Sequence, residues 1–141
     1  MDLEVIAYRK KGIWLMYAYT FFLGLCVPLI PVNDPFYMIL TALFSLTFIS
    51  VSLIVLIMYF STPQEAIFYN EYEQAIYLKK GVKMQLSEIE DLSYHRASAR
   101  VIQYKWGTII IRSQHKKYKI MFIAQCENVC KTLTKLKYEN S

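Results

Sequence analysis

Charge is nearly missing from the first half of this sequence. Between Gly12 and Glu65 the only formal charge is Asp34. The gap divides into residues 13–30, which are 18 residues without a charge, and residues 36–60, which are 25. As helices, at about 1.5 Å per residue, they would reach roughly 27 and roughly 37 Å. A bilayer core is about 30 Å thick and takes about 20 apolar residues. A soluble core helix rarely stays uncharged on every face for so long. Residues 36–60 therefore read as a transmembrane helix, and residues 13–30 as a shorter one that needs its flanks to cross.

Processing signals are lacking too. Arg9, Lys10 and Lys11 precede the first apolar run, as in a signal peptide. No small-x-small cleavage site follows, and "LGLC" places the bulky Leu25 before Cys26, where a lipoprotein peptidase needs a small residue. The expectation is a retained helix. Cysteine is sparse, with Cys26 in the apolar run and Cys126 and Cys130 four apart on an expected helix. Side chains one turn apart on an intact helix rarely reach disulfide geometry. They read as small buried apolar residues. No His or Cys pair completes a metal site. There is no Gly-rich phosphate loop, no His-Glu-x-x-His and no nucleophile elbow. No cofactor and no catalysis are expected.

What separates the two runs is "CVPLIPVNDPFYMI". Pro28, Pro31 and Pro35 would break helical hydrogen bonds in mid-bilayer, whereas at an interface the freed groups meet water. Asn33-Asp34-Pro35 is turn chemistry. The expectation is a helical hairpin turning at residues 31–35. Basic residues flank its first end at Arg9, Lys10 and Lys11, a basic domain follows its second, and the turn has no Lys or Arg. Both termini then face the cytoplasm. Trp14, Tyr17, Tyr37 and Tyr59 lie near the ends of the runs, as interfacial aromatics do. The alternative keeps one span, residues 36–60, with the first run in the interface and the N-terminus outside.

Residues 65–141 have a different character. Their 77 positions hold thirteen basic and eight acidic residues, enough for the whole chain's net charge of +5. "AIFYN" and "QAIYLKK" read as strands with "NEYE" as the turn between them. In "VKMQL", Val82, Met84 and Leu86 alternate with Lys83 and Gln85. "SEIEDLSYHR" reads as a bend, "RVIQYKW" as a strand, and "GTIIIRS" and "KYKIMFI" as a hairpin around "SQHK". Cys126, Val129, Cys130, Leu133 and Leu136 form one stripe on a helix over residues 125–138, with Lys131, Lys135 and Lys137 off it. Six or seven antiparallel strands and one amphipathic helix make an α+β domain. Residues 1–12 are left as a cytoplasmic N-terminal segment, 13–60 as the membrane region, and 65–141 as a domain expected to fold alone.

Few residues in this domain suggest a site. Lys116, Lys117 and Lys119, with Arg112 nearby, form a basic cluster at the hairpin end, and such a cluster gains affinity for an anionic leaflet or partner. Glu88, Glu90 and Asp91 read as a solvated acidic turn. His95 and His115 have no evident carboxylate partner and read as loop or strand-edge residues. Tyr69, Tyr77 and Tyr104 could stack bases, but a membrane anchor and a modest net charge argue against nucleic acid. Trp106 is expected in the core.

The run "IYLKKGVKMQLSEIEDLSY…WGTIIIRSQHKKYKIMFIAQCENVCKTL" resembles the PH-like domains of small bacterial membrane proteins, matching their pattern at Ile89, Gly107, Ile110, Tyr118, Ile120, Val129 and Leu133. With the N-terminal anchor, the chain is similar to the sublancin immunity family of Bacillus. The resemblance implies a PH-like β-barrel or sheet capped by the C-terminal helix, on the cell membrane. It also implies bacteriocin self-immunity by binding, shielding or target masking, with the bacteriocin or its membrane target as partner. The matching motifs concern packing, so no catalytic residue is carried over, and fold alone does not bring phosphoinositide binding. A membrane-tethered adaptor that recruits or regulates another membrane protein uses the same architecture.

Overall fold

A computed structural model of the chain describes residues 3–78, 81–114 and 116–139. The backbone divides into two compact units, residues 11–61 and a second unit made of residues 1–10 with residues 62–141.

The first unit is a helix pair. α1 (Ile13–Cys26) runs into a 3-10 turn, Val27–Leu29, and α2 spans Pro35–Ser61. The connection follows its turn chemistry. Asp34 caps α2, its Oδ1 accepting the Phe36 N–H at 2.8 Å, and Pro35 takes the first helical position, where no N–H is needed. The pair is packed inside out by the standards of a soluble hairpin. On α2 the buried residues are Ser45, Ser52 and Tyr59, spaced by seven, while Phe36, Leu46 and Phe60 are more than 60% exposed. Ser45 Oγ donates to the Gly24 carbonyl at 2.5 Å, and the Thr20 and Ser52 hydroxyls lie 2.7 Å apart. A methyl at Gly24 would meet Ile49 Cγ1 at 2.9 Å, so the helices close on that glycine. Small and hydroxylated residues inside, large apolar ones outside, is how helices associate in hydrocarbon. α2 is long and apolar enough to cross a membrane; the helical stretch Ile13–Leu29 is shorter than the usual span.

The second unit is α+β. One antiparallel sheet has the order β1-β2-β3-β4, from β1 (Glu4–Tyr8), β2 (Glu65–Asn70), β3 (Ala75–Leu78) and β4 (Val82–Gln85). The other is β5-β6-β7, from β5 (Ile89–Ala99), β6 (Ile102–Ser113) and β7 (Lys117–Ile123). One antiparallel bridge, Arg9 to Ile123, links them, and neither sheet closes on itself. α3 (Cys126–Glu139) packs on β5 and β6. Its stripe is the expected one, with Cys126, Val129, Cys130 and Leu133 buried and Leu136 against the core. The inner residues come from every layer: Ala7, Ile67, Ile76, Met84, Leu86, Ile89, Ile109, Ile111 and Ile123.

"SEIEDLSYHR", expected as a bend, runs from the 3-10 turn Leu86–Glu88 into the 11-residue strand β5. Three further features differ from the sequence reading. First, β1 belongs to this unit. Glu4 pairs with Tyr69 and Ala7 with Ile67, and Ala7 has no exposure. Residues 65–141 therefore lack one strand of their own sheet, and the helix pair is an insertion between two neighbouring strands. Second, "RVIQYKW" and "GTIIIRS" are one strand of 12 residues, β6, since Gly107 is a point of close approach to β5 and not a break. Third, Trp106 is half-buried and stacks between Tyr104 and Phe122, at centroid distances of 5.9 and 6.2 Å, outside the core.

An expected outcome follows for truncations. At the root of the insertion the Arg9 N–H donates to the Gln64 carbonyl at 2.8 Å, and Tyr8 pairs with Glu65. A short turn in place of residues 11–61 should therefore leave an ordinary β1–β2 hairpin and a well-dispersed amide NMR spectrum. Residues 65–141 alone should give poor dispersion, because β2, which has buried residues along most of its length, becomes a bare edge. Equal dispersion from both would show β1 to be dispensable.

Candidate functional site

Charge is distributed unevenly over the second unit. Between Asp91 and Glu127 lie 35 residues with seven Lys or Arg and no carboxylate. That stretch is most of β5 and all of β6 and β7, so the three-stranded sheet is the basic part of the molecule. The run is legible in the sequence once the strands are known to form a single sheet.

Register places the residues of the basic cluster. Ile109 and Ile111 face the core, so Thr108, Ile110 and Arg112 face outward. On β7, Lys117 lies opposite Arg112, and Lys119 opposite Ile110. Arg112, Lys117 and Lys119 thus share the outer face around Ile110, all three exposed and without an ion pair among the described residues. Lys116 is exposed in the connection beyond the strand ends, where its carbonyl accepts the Ser113 N–H at 2.9 Å. A small open pocket of about 270 Å³ sits there, lined by Glu88, Ser113, Gln114, Lys116 and Tyr118. The structure therefore brings three of the four cluster residues onto one face and puts the fourth at its rim.

Like charges directly opposite each other across a ladder repel. The Arg112–Lys117 pair therefore adds no attraction across the β6–β7 ladder, while Asp91 lies opposite Arg112 on β5. Lys117→Glu should turn the pair into an attractive one and raise stability by about 0.2–1 kcal/mol. A thermal melt checks this, and an unchanged or lower melting temperature would mean the two side chains do not face each other.

The other candidates have local structural roles. Glu88 accepts the Gln85 N–H at 3.2 Å as part of a capping box. The Glu90 carbonyl accepts Lys137 Nζ at 3.0 Å, and Asp91 lies opposite Arg112. His95 is exposed on β5 opposite Thr108, and His115 lies outside the described residues. Tyr69 is buried in β2 and offers no open face for a base to stack on. Burial pushes the Cys126 and Cys130 thiols up, which keeps them protonated and poor nucleophiles. Among the described residues no three His, Cys, Asp or Glu gather as a metal site would require.

No protein-family model matches the chain, and neither a curated protein nor a solved structure matches it.

Proposed function

We propose that this chain is a membrane-tethered binding protein without enzymatic activity, and that it serves bacteriocin self-immunity of the sublancin kind. The observation that carries the tethered reading is the place of the helix pair, between β1 and β2. Antiparallel neighbours in one sheet lie on the same side of a bilayer. A chain that leaves at Lys10 and returns at Thr62 therefore comes back to the side it left, which suits two crossings, whereas a single crossing by α2 would strand β1 away from β2. Seventeen residues of α1 and its 3-10 turn reach about 26 Å, enough for a second crossing with slight local thinning. Four and three antiparallel strands with a C-terminal helix also suit the PH-like layout that the sequence resembles, the hairpin standing in for its first loop.

The immunity role rests on that resemblance. The outer face of β6 and β7, with Arg112, Lys117 and Lys119 around Ile110, is the surface assigned to the partner, the toxin or the membrane component it attacks. Binding there is stoichiometric, so tethering supplies local concentration.

Two measurements test this. A membrane-impermeant thiol reagent, in a background free of native cysteines, should label Asn33→Cys in intact cells. It should label Asp2→Cys and Ser141→Cys only after lysis. Labelling at position 2 in intact cells would overturn the double crossing. The chain expressed in a sublancin-sensitive Bacillus should protect it, and His95→Ala and Glu88→Ala should protect equally well. No protection by the full chain would remove the immunity role and leave the adaptor.

A further inference from the structure

β5 and β6 outrun the rest of their sheet. β7 ends at Ile123, opposite Gly107, whereas β5 and β6 continue as a two-stranded hairpin with Ser98 opposite Gln103 and Ala99 opposite Ile102. Residues 98–105 are all exposed, Val101 at 95% and Ile102 at 62%. A lone exposed aliphatic is ordinary. Here two adjacent ones form the end of a projecting turn, where Asn or Gly would be usual. The turn is also poorly suited to its sequence, since Arg100 holds φ at 54°. Nothing in the fold calls for Arg, Val and Ile at these places.

Behind the tip the side chains change in order. Tyr104 stacks on Trp106, which stacks on the buried Phe122. Arg100 sits in the turn beside Val101, and Lys105 lies between the two aromatics on β6, both exposed and without an ion pair among the described residues. Arg96 instead pairs with Glu127 and fixes the base of the hairpin to α3. An exposed aliphatic end with a basic residue beside it, followed by amphipathic aromatics and a second basic residue among them, is the profile of a segment seated in a bilayer interface. The tip projects beyond β7, and the pocket lined by Glu88, Ser113, Gln114, Lys116 and Tyr118 lies at the other end of β6.

We infer that the β5–β6 hairpin is a second membrane contact, in which Val101 and Ile102 enter the interface of an anionic bilayer, Tyr104 and Trp106 sit at headgroup level, and Arg100 and Lys105 bind lipid phosphates. The inference rests on the tethered reading above. It leaves the outer face around Ile110 for a partner.

The test uses the full chain with Cys26→Ala, keeping the buried Cys126 and Cys130. An environment-sensitive fluorophore is placed at Val101→Cys, at Tyr72→Cys in the β2–β3 turn, or at Leu46→Cys within α2. Each protein is reconstituted in phosphatidylcholine vesicles with or without phosphatidylglycerol, and quenched with spin-labelled lipids. Val101→Cys should be quenched several-fold more than Tyr72→Cys when phosphatidylglycerol is present. Adding Arg100→Glu and Lys105→Glu should remove most of that difference. Equal quenching at positions 101 and 72, with Leu46→Cys strongly quenched, overturns the second contact and leaves the anchor standing. An unquenched Leu46→Cys overturns the anchor itself. Quenching at position 101 that ignores both phosphatidylglycerol and the charge reversals overturns the role of the basic pair.

Discussion

Gly107→Ala should unfold the second unit or bring it close to unfolding. A Cβ at this position would lie 2.0 Å from the His95 carbonyl oxygen and 2.9 Å from Arg96 Cα. Both neighbours are backbone in the middle of β5, so no rotamer change relieves the clash. Relief requires β5 and β6 to separate where the sheet is already irregular, with register shifts at Arg96/Ser98 on one side and Gly107/Ile109 on the other. The strand pair also supports Ile109, which has no exposure, and the Arg96–Glu127 contact to α3. Overpacking usually costs about 1–3 kcal/mol, and a backbone clash this close belongs at or above the top of that range. Domains of this size have roughly 5–15 kcal/mol to lose. Three kcal/mol would lower the melting temperature by on the order of 15 °C. Circular dichroism melts of the second unit, with residues 11–61 replaced by a short turn, read this directly. A shift of only a degree or two would mean that β5 and β6 are farther apart at Gly107 than described.

Leu133→Asp should be equally severe for a different reason. Leu133 has no exposure, and α3 lays it against the core that β5 and β6 build. Truncating a buried Leu costs about 2–5 kcal/mol, and the carboxylate left in its place has no partner and adds its own desolvation. The loss should reach the stability of the unit, with no folded signal by near-UV dichroism. Lys131→Ala, two positions away, is the control. Lys131 is exposed and makes a 3.0 Å pair with Glu127 at i,i+4 spacing, worth about 0.3–0.5 kcal/mol. Comparable losses in the two variants would mean that the helix faces the core with another side.

The sequence made some of this plain and concealed the rest. α3 was visible because its stripe is a local pattern, and β4 because Met84 and Leu86 are buried on the face that alternation assigns them. α2 was visible as a charge gap. β1 was not, because its partner lies some sixty residues away and five residues such as EVIAY carry no pattern of their own; the Arg and Lys after it invited a reading as membrane flank. The β5–β6 turn is not legible in the sequence because Arg100-Val101 has none of the usual turn residues. The basic cluster was found as a run of lysines, but its sharing of one face with Arg112 and Ile110 is a matter of register, and a run of letters does not contain register. The seam of the helix pair was open to inspection at Thr20, Gly24, Ser45 and Ser52, where small residues recur at helical spacing.

The position of β1 also bears on how the molecule is made. β1 leaves the ribosome first, yet the strand it pairs with follows only after both apolar helices. At about 5–20 residues per second, β1 waits several seconds, unpaired, until β2 is made; under the proposed double crossing the hairpin passes to the insertion machinery in that interval. Only a hairpin that returns to the side it started from brings β2 within reach. A nascent chain whose first helix fails to insert, or whose second enters the wrong way round, leaves β1 and β2 on opposite sides. It then holds an open sheet edge and an unfinished core, the features by which proteases recognise a failed product. Under the proposed double crossing, completion of the sheet would therefore report a correctly inserted hairpin.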